Sequence, residues 1–259
     1  MISGPVLLIH GAASDSRVWA PVIGSLPDYL ETLTPDLSYY GSAPWPDEGQ
    51  GFGVRCHADD IERFAKAAGQ PVHLVCLSMS CHAGFVAMIR RPDLFRTGFF
   101  YEPGLTSHID DRRTRSVLMA ARRKFYAPVL NQLQREGPEA AVAMMMEGRL
   151  ERMEPDRRAI SIENARTLRL VMGQGQHARG NQSMPVSSAH LRAIKAPVCV
   201  AMGTATRSVY AIPSKAAAAA IPESDLLQVK GADHFLADDD PARFAAILTD
   251  WLDRRESEG

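Results

Sequence analysis

The sequence has no long apolar run. Its first residues, Met1-Ile2-Ser3-Gly4-Pro5, lack a basic segment and lead directly into Val6-Leu7-Leu8-Ile9, too few apolar residues for a signal peptide or a membrane span. The chain is therefore expected to work in the cytoplasm, without a membrane partner. An excess of one charge is also missing, since 29 Lys and Arg face 30 Asp and Glu. That balance removes the electrostatic reason to expect nucleic acid or an anionic surface as a partner. Cysteine is scarce: Cys56, Cys76, Cys81 and Cys199 form no CxxC pair. They read as buried free thiols in a reducing compartment, with a disulfide pair as the alternative. The eight histidines show no metal-ligand spacing and no His-Glu-x-x-His, so no metal is expected. No internal repeat or long low-complexity tract occurs. Asn181-Gln182-Ser183 spells a glycosylation acceptor, which carries no meaning without a secretory signal.

What is present is a chain of 259 residues, 46% apolar, long enough for one large domain or a core with an inserted subdomain. Short β-rich runs alternate with amphipathic helical runs, which predicts a doubly wound, mostly parallel sheet with helices on both faces. The strands are expected at 6–9, 31–35, 72–76, 97–101, 198–202 and 225–229. Helices are expected at 18–26, 57–68, 83–91, 213–220 and 241–254. Between 110 and 191 no strand candidate appears. Helical patterns at 112–135, 138–153 and 156–172 are followed by a Gly/Gln/His/Asn-rich loop at 173–183. An insertion of helices between two strands would form a lid over their carboxyl ends, where open parallel sheets place ligands. The expected division is a core of residues 1–103 and 192–259, with a helical lid at 104–191.

The most informative residue is Ser78, in Leu74-Val75-Cys76-Leu77-Ser78-Met79-Ser80-Cys81-His82. A serine on a sharp turn between strand and helix has its hydroxyl raised into a cleft as a nucleophile. The usual spelling, Gly-x-Ser-x-Gly, has lost both glycines here, to Cys76 and Ser80. Both replacements are small, so the turn can survive with some repacking. Cys81 would lie within the following helix and is a weaker alternative nucleophile. From Leu74 to the Arg90-Arg91-Pro92-Asp93 turn, the segment resembles the elbow region of the α/β-hydrolase superfamily. The distance back from Pro92 selects Ser78 over Ser80.

The resemblance extends from Val6 to Leu252. It implies that His10-Gly11-Ala12-Ala13 ends the first strand, with Ala12 and Met79 supplying the oxyanion-hole N–H groups. The His10 side chain is expected to brace its loop. Trp19 and the stretch Asp36-Leu37-Ser38-Tyr39-Tyr40-Gly41 also match. The loop Gly231-Ala232-Asp233-His234-Phe235 implies His234 as general base. The family's usual acid is missing, because Gly203-Thr204-Ala205-Thr206-Arg207 puts Thr206 where Asp is common, and threonine cannot hold an imidazolium by charge. Glu102, in Phe99-Phe100-Tyr101-Glu102-Pro103, stands at another strand end. Branches such as haloalkane dehalogenases and zearalenone lactonases place their acid there, and the latter also resemble this chain around 203–206.

The resemblance thus implies a cofactor-free serine hydrolase of a carboxylic ester or lactone, with Ser78, His234 and Glu102 as its triad. The expected partner is a small molecule, fairly large and apolar, with a homodimer left open. Met145 and Met146, with Met144, are candidates to line the substrate cavity. The charged runs 110–115 and 122–124 read as a solvated helix face. Two alternatives stay open on the same fold: a cofactor-independent dioxygenase or C–C lyase using the His–acid pair, and a non-catalytic ligand-binding protein.

Overall fold

A computed structural model describes residues 2–173 and 184–258. Strands β1 (Val6–Ile9), β2 (Thr32–Leu33), β3 (Val72–Leu77), β4 (Phe95–Tyr101), β5 (Val198–Gly203) and β6 (Ser224–Val229) form one sheet in the order β2-β1-β3-β4-β5-β6. Every pairing in it is parallel. Alternate strand residues feed two separate cores, as the two-residue period of a sheet covered on both faces requires. Leu7, Ile9, Leu74, Cys76, Phe100, Val198 and Val200 pack on one side with the helices Val54–Ala67 and Ser80–Arg90. Val6, Leu8, Val75, Phe99, Tyr101 and Cys199 pack on the other against Trp19, Phe244, Leu248 and Trp251.

The sheet changes direction between β1 and β3, and ligands of open parallel sheets bind at the carboxyl ends beside such a point. Ala12 follows β1 and Ser78 follows β3, so the two flank this crevice from either side.

Several expected elements are corrected in extent. The run 31–35 contributes only Thr32 and Leu33, because an edge strand ahead of Pro35 has little ladder to join. The run 18–26 becomes a 3₁₀ turn, Ser16–Trp19, capped by the Asp15 side chain, and the short helix Ala20–Ile23 stopped at Gly24. The helix expected from Pro213 begins earlier, at Ser208, with Pro213 inside it and its carbonyl accepting from His108 Nε2 at 2.9 Å.

Between β4 and β5 the described chain is helical, as expected. The helix Arg112–Arg135 has the expected bounds. The next helix, Pro138–Met145, stops short of 153 because Glu147 (φ 56°) and Gly148 (φ 75°) turn left-handed. The run 156–172 is broken into Pro155–Asn164, a 3₁₀ turn Ala165–Thr167 and Leu168–Val171. The break falls at buried Asn164, whose side chain accepts from Gly41 N–H and donates to Asp15, while Thr167 bonds the Asn164 carbonyl. Residues 174–183, holding most of the loop expected at 173–183 and the 181–183 acceptor, lie outside the described residues. No described helix is long and apolar enough to cross a membrane. Cys76, Cys81 and Cys199 are buried, Cys56 is half-buried, and none of the four is in a disulfide.

Candidate active site

The turn after β3 shows how an elbow works without its usual glycines. Ser78 adopts φ 54°, a left-handed conformation that costs a non-glycine residue of order 1–3 kcal/mol and persists where the surroundings enforce it. Here its N–H donates to the Tyr101 carbonyl at 2.9 Å. Cys76 fits because the helix opposite carries Gly84, where an added Cβ would lie 2.7 Å from the Cys76 sulfur. At this contact the glycine is on the helix, and the close approach is kept. Ser80 is fully buried, and its hydroxyl accepts from Leu77 N–H at 3.1 Å and lies 3.2 Å from the Ile9 carbonyl. It closes the turn and links β1 to β3. Cys81 lies in the helix Ser80–Arg90, and burial pushes its thiol well above the ordinary range, the reverse of what a thiolate nucleophile needs.

Glu102, directly after β4, also turns left-handed (φ 50°) and is fully buried. One carboxylate oxygen accepts from Gly203 N–H at 2.9 Å. The other accepts from the Thr206 hydroxyl at 2.7 Å and lies 2.8 Å from His234 Nδ1. His234 Nε2 is 3.0 Å from Ser78 Oγ. Because a carboxylate can only accept, the proton between Glu102 and His234 sits on Nδ1, which leaves Nε2 free to accept from the serine.

Two further groups hold the imidazole. The Tyr210 ring stacks on it at 3.6 Å between centroids and 7° between planes. Tyr101 donates its hydroxyl to the Asp233 carbonyl at 2.6 Å, bracing the loop beside the histidine. That loop comes so close to β5 that a Cβ on Gly203 would lie 2.0 Å from the Ala232 carbonyl oxygen. Arg149, in the turn after Pro138–Met145, pairs with Asp233 and Asp239 and lies over the Phe235 ring.

His10 is fully buried, with Nδ1 2.9 Å from the Gly11 carbonyl and Nε2 accepting from Leu37 N–H at 3.2 Å. Burial holds its pKa down, so the ring is a neutral brace between the β1 and β2 loops. Ala12 and Met79 both line the cavity with Ser78, and neither N–H is taken by another acceptor among the described residues. The cavity has a volume of about 530 Å³. Its walls are largely apolar, with Val18, Val54, Leu105 and Leu130 beside Met145 and Met146, while Met144 is exposed. The expected solvated face at 122–124 is corrected in part. Arg122 is half-buried, and it lines the cavity with Arg123, because the stripe Met119, Arg122, Tyr126, Leu130 recurs at helical spacing on the side facing Ser78.

A sequence profile of the Alpha/beta hydrolase family matches residues 6–247. The chain belongs to this family. Among its relatives is the 2-(acetamidomethylene)succinate hydrolase of Mesorhizobium japonicum, 25% identical over 97% of this chain and 89% of that protein. A thermophilic esterase from Thermogutta terrifontis superposes with a TM-score of 0.72 at 20% identity, covering 98% of this chain and 90% of the other. The enol-lactonase of Burkholderia xenovorans LB400 gives 0.69 at 16% identity, covering 96% and 92%. At these identities the two structural likenesses speak for the fold.

As an α/β hydrolase, the chain holds three residues at this site that sequence reasoning did not find: Tyr210, Arg122 and, as a donor to Glu102, Thr206. The helical stripe through Met119 and Tyr126 was a usable signal for Arg122. Thr206 was marked only as the residue standing where Asp is common, and Tyr210 carried no signal, because its partner is distant in the sequence.

Proposed function

We propose that this α/β hydrolase is a serine hydrolase that cleaves a carboxylic ester or lactone through an acyl-enzyme. The observation that carries the reading is the unbroken chain Ser78 Oγ–His234–Glu102, with links of 3.0 and 2.8 Å, opening on the cavity. In it, Ser78 attacks the carbonyl carbon while His234 Nε2 takes the hydroxyl proton. Glu102 keeps the proton on Nδ1 and stabilises the imidazolium. The N–H groups of Ala12 and Met79 receive the oxyanion, and two backbone donors impose no side-chain requirement at either position. The imidazolium then protonates the leaving oxygen. Water, deprotonated by His234, attacks the acyl carbon, and the imidazolium returns that proton to Ser78 Oγ as the acyl group leaves as the free acid.

Residues 104–191 act in this reading as a cap, whose Arg149 pairs with the loop carrying His234. The esterase and enol-lactonase names of two structural neighbours agree with ester or lactone cleavage, and that of the 2-(acetamidomethylene)succinate hydrolase agrees with hydrolysis. The contact between Ser78 and His234 favours the acyl-enzyme over base-only chemistry, for which no serine is needed. Treating the folded protein with a fluorophosphonate and locating the adduct by mass spectrometry tests the reading. Modification of Ser78, abolished in Ser78→Ala, is expected, and a folded protein left unmodified at Ser78 would sink it.

A further inference from the structure

Five arginines among the described residues are half-buried: Arg91, Arg122, Arg149, Arg157 and Arg255. Four of them pair with an aspartate, Arg91 with Asp93, Arg149 with Asp233, Arg157 with Asp238 and Arg255 with Asp225. Arg122 is the exception. Among the described residues it forms no ion pair; it donates to the Gly104 carbonyl at 2.9 Å and lies over the Tyr126 ring at 4.9 Å. Nor can its own helix supply a partner, since no Asp or Glu occurs between Arg112 and Arg135. The only carboxylate among the described residues that line the cavity, Asp238, is 2.6 Å from Arg157 and committed to it.

The location gives this exception meaning. Gly104, whose carbonyl holds Arg122, donates its own N–H to the Ser78 carbonyl at 3.4 Å. One residue thus ties the guanidinium to the nucleophile's backbone. While the cavity holds water, the cation is solvated. A substrate that fills the cavity removes that water, and a guanidinium left without a counter-charge is then costly. A neutral substrate meets that cost in full, whereas one bearing a carboxylate removes it and gains a charge-assisted, bidentate contact.

We infer that Arg122 is an anion-recognising residue of the cavity, and that the substrate carries a carboxylate in addition to the bond that is cleaved. This rests on Ser78 being the nucleophile. It revises the expectation of a purely apolar substrate, since the apolar walls take the body of the molecule and Arg122 takes its charged end. Arg123, exposed at the same stretch, contributes less because solvent screens it.

Matched esters test the inference: the monoethyl esters of succinate, glutarate and adipate, each against the ethyl ester with a methyl group in place of the carboxylate (butyrate, valerate, hexanoate). The quantity read is the ratio of kcat/KM, charged over neutral, by pH-stat. The wild-type protein is expected to favour the charged ester of at least one pair. Arg122→Gln should collapse that ratio by about 10- to 100-fold, Arg122→Lys should retain part of it, and Arg123→Gln should change it by about 2-fold. A wild-type ratio at or below one for all three pairs overturns the inference. So does a ratio that survives Arg122→Gln while both rates fall, which would mark Arg122 as a brace for Gly104.

Calorimetric titration with glutarate asks the same question without turnover. Binding weakened at least about 10-fold by Arg122→Gln supports the inference, and absent or unaltered binding overturns it. If no ester is hydrolysed and the fluorophosphonate leaves Ser78 unmodified, the hydrolase reading fails separately, and the glutarate titration still decides the role of Arg122.

Discussion

The ends of β4 and β5 lie side by side and divide between them a task that one strand end usually performs. β4 ends in Glu102, a buried charge on a left-handed residue. β5 ends in Gly203, and the chain from there through Thr206 to Tyr210 carries no carboxylate. Yet β5 and the segment that follows it supply two of the three donors that Glu102 accepts, the Gly203 N–H and the Thr206 hydroxyl, and the ring that stacks on His234. The charge has changed strands, while the means of holding it and the imidazole stay with β5. A triad acid is set by where its oxygen sits relative to the imidazole, and two adjacent parallel strands can both reach that point.

The strongest way to break this comparison is Glu102→Gln. The amide keeps the volume, its one oxygen can still accept from Gly203 while its NH2 group donates to the Thr206 hydroxyl, and it carries no charge. A fall in kcat of about 10³- to 10⁴-fold is expected, with a melting temperature close to wild type. A loss under about tenfold, measured by steady-state hydrolysis, would mean that the charge at β4 is dispensable.

Adding Thr206→Asp to that variant asks whether β5 can take the charge back. The Thr206 hydroxyl lies 2.7 Å from the oxygen that contacts His234, so an aspartate there reaches toward Nδ1. The double variant should recover about 10- to 100-fold of the lost rate, the share an orienting carboxylate regains when its geometry is imperfect. No recovery would show that only the β4 turn presents the acid usefully.

A smaller effect is expected from Thr206→Val, which leaves the charge and removes one donor to it. About a tenfold fall in kcat follows from losing a hydrogen bond to a buried carboxylate, and Thr206→Ser should restore most of it. Smallest are the Tyr210 variants. Tyr210→Leu removes the stack and should lower kcat by about 2- to 10-fold, and Tyr210→Phe, which keeps it, should stay within about twofold. Equal losses in both would assign the role to the Tyr210 hydroxyl and not to its ring.

Much of this arrangement could be read from the chain. The two-residue burial period of the strands, the Ser78 turn and the Glu102 strand end are local patterns, and each lies where the sequence predicts an element. Helix ends were read less well. The stop at Met145 depends on left-handed Glu147 beside Gly148, and the break at Asn164 depends on Gly41 and Asp15, more than a hundred residues away. The Gly84–Cys76 contact explains the missing elbow glycine, but it becomes visible only once helix and strand are packed together.

By itself the sequence determined the order Ser78, Glu102, His234 and the type of element that ends at each, because strand, turn and helix preferences act over a few neighbouring residues. Only the tertiary structure decided which partners meet: that Glu102 reaches a histidine 132 residues onward, that Thr206, standing where Asp is common, donates to Glu102, and that Arg122 faces the cavity without a counter-charge. Such meetings depend on how closely β4, β5 and the His234 loop approach one another, and that spacing is set by packing across the whole sheet.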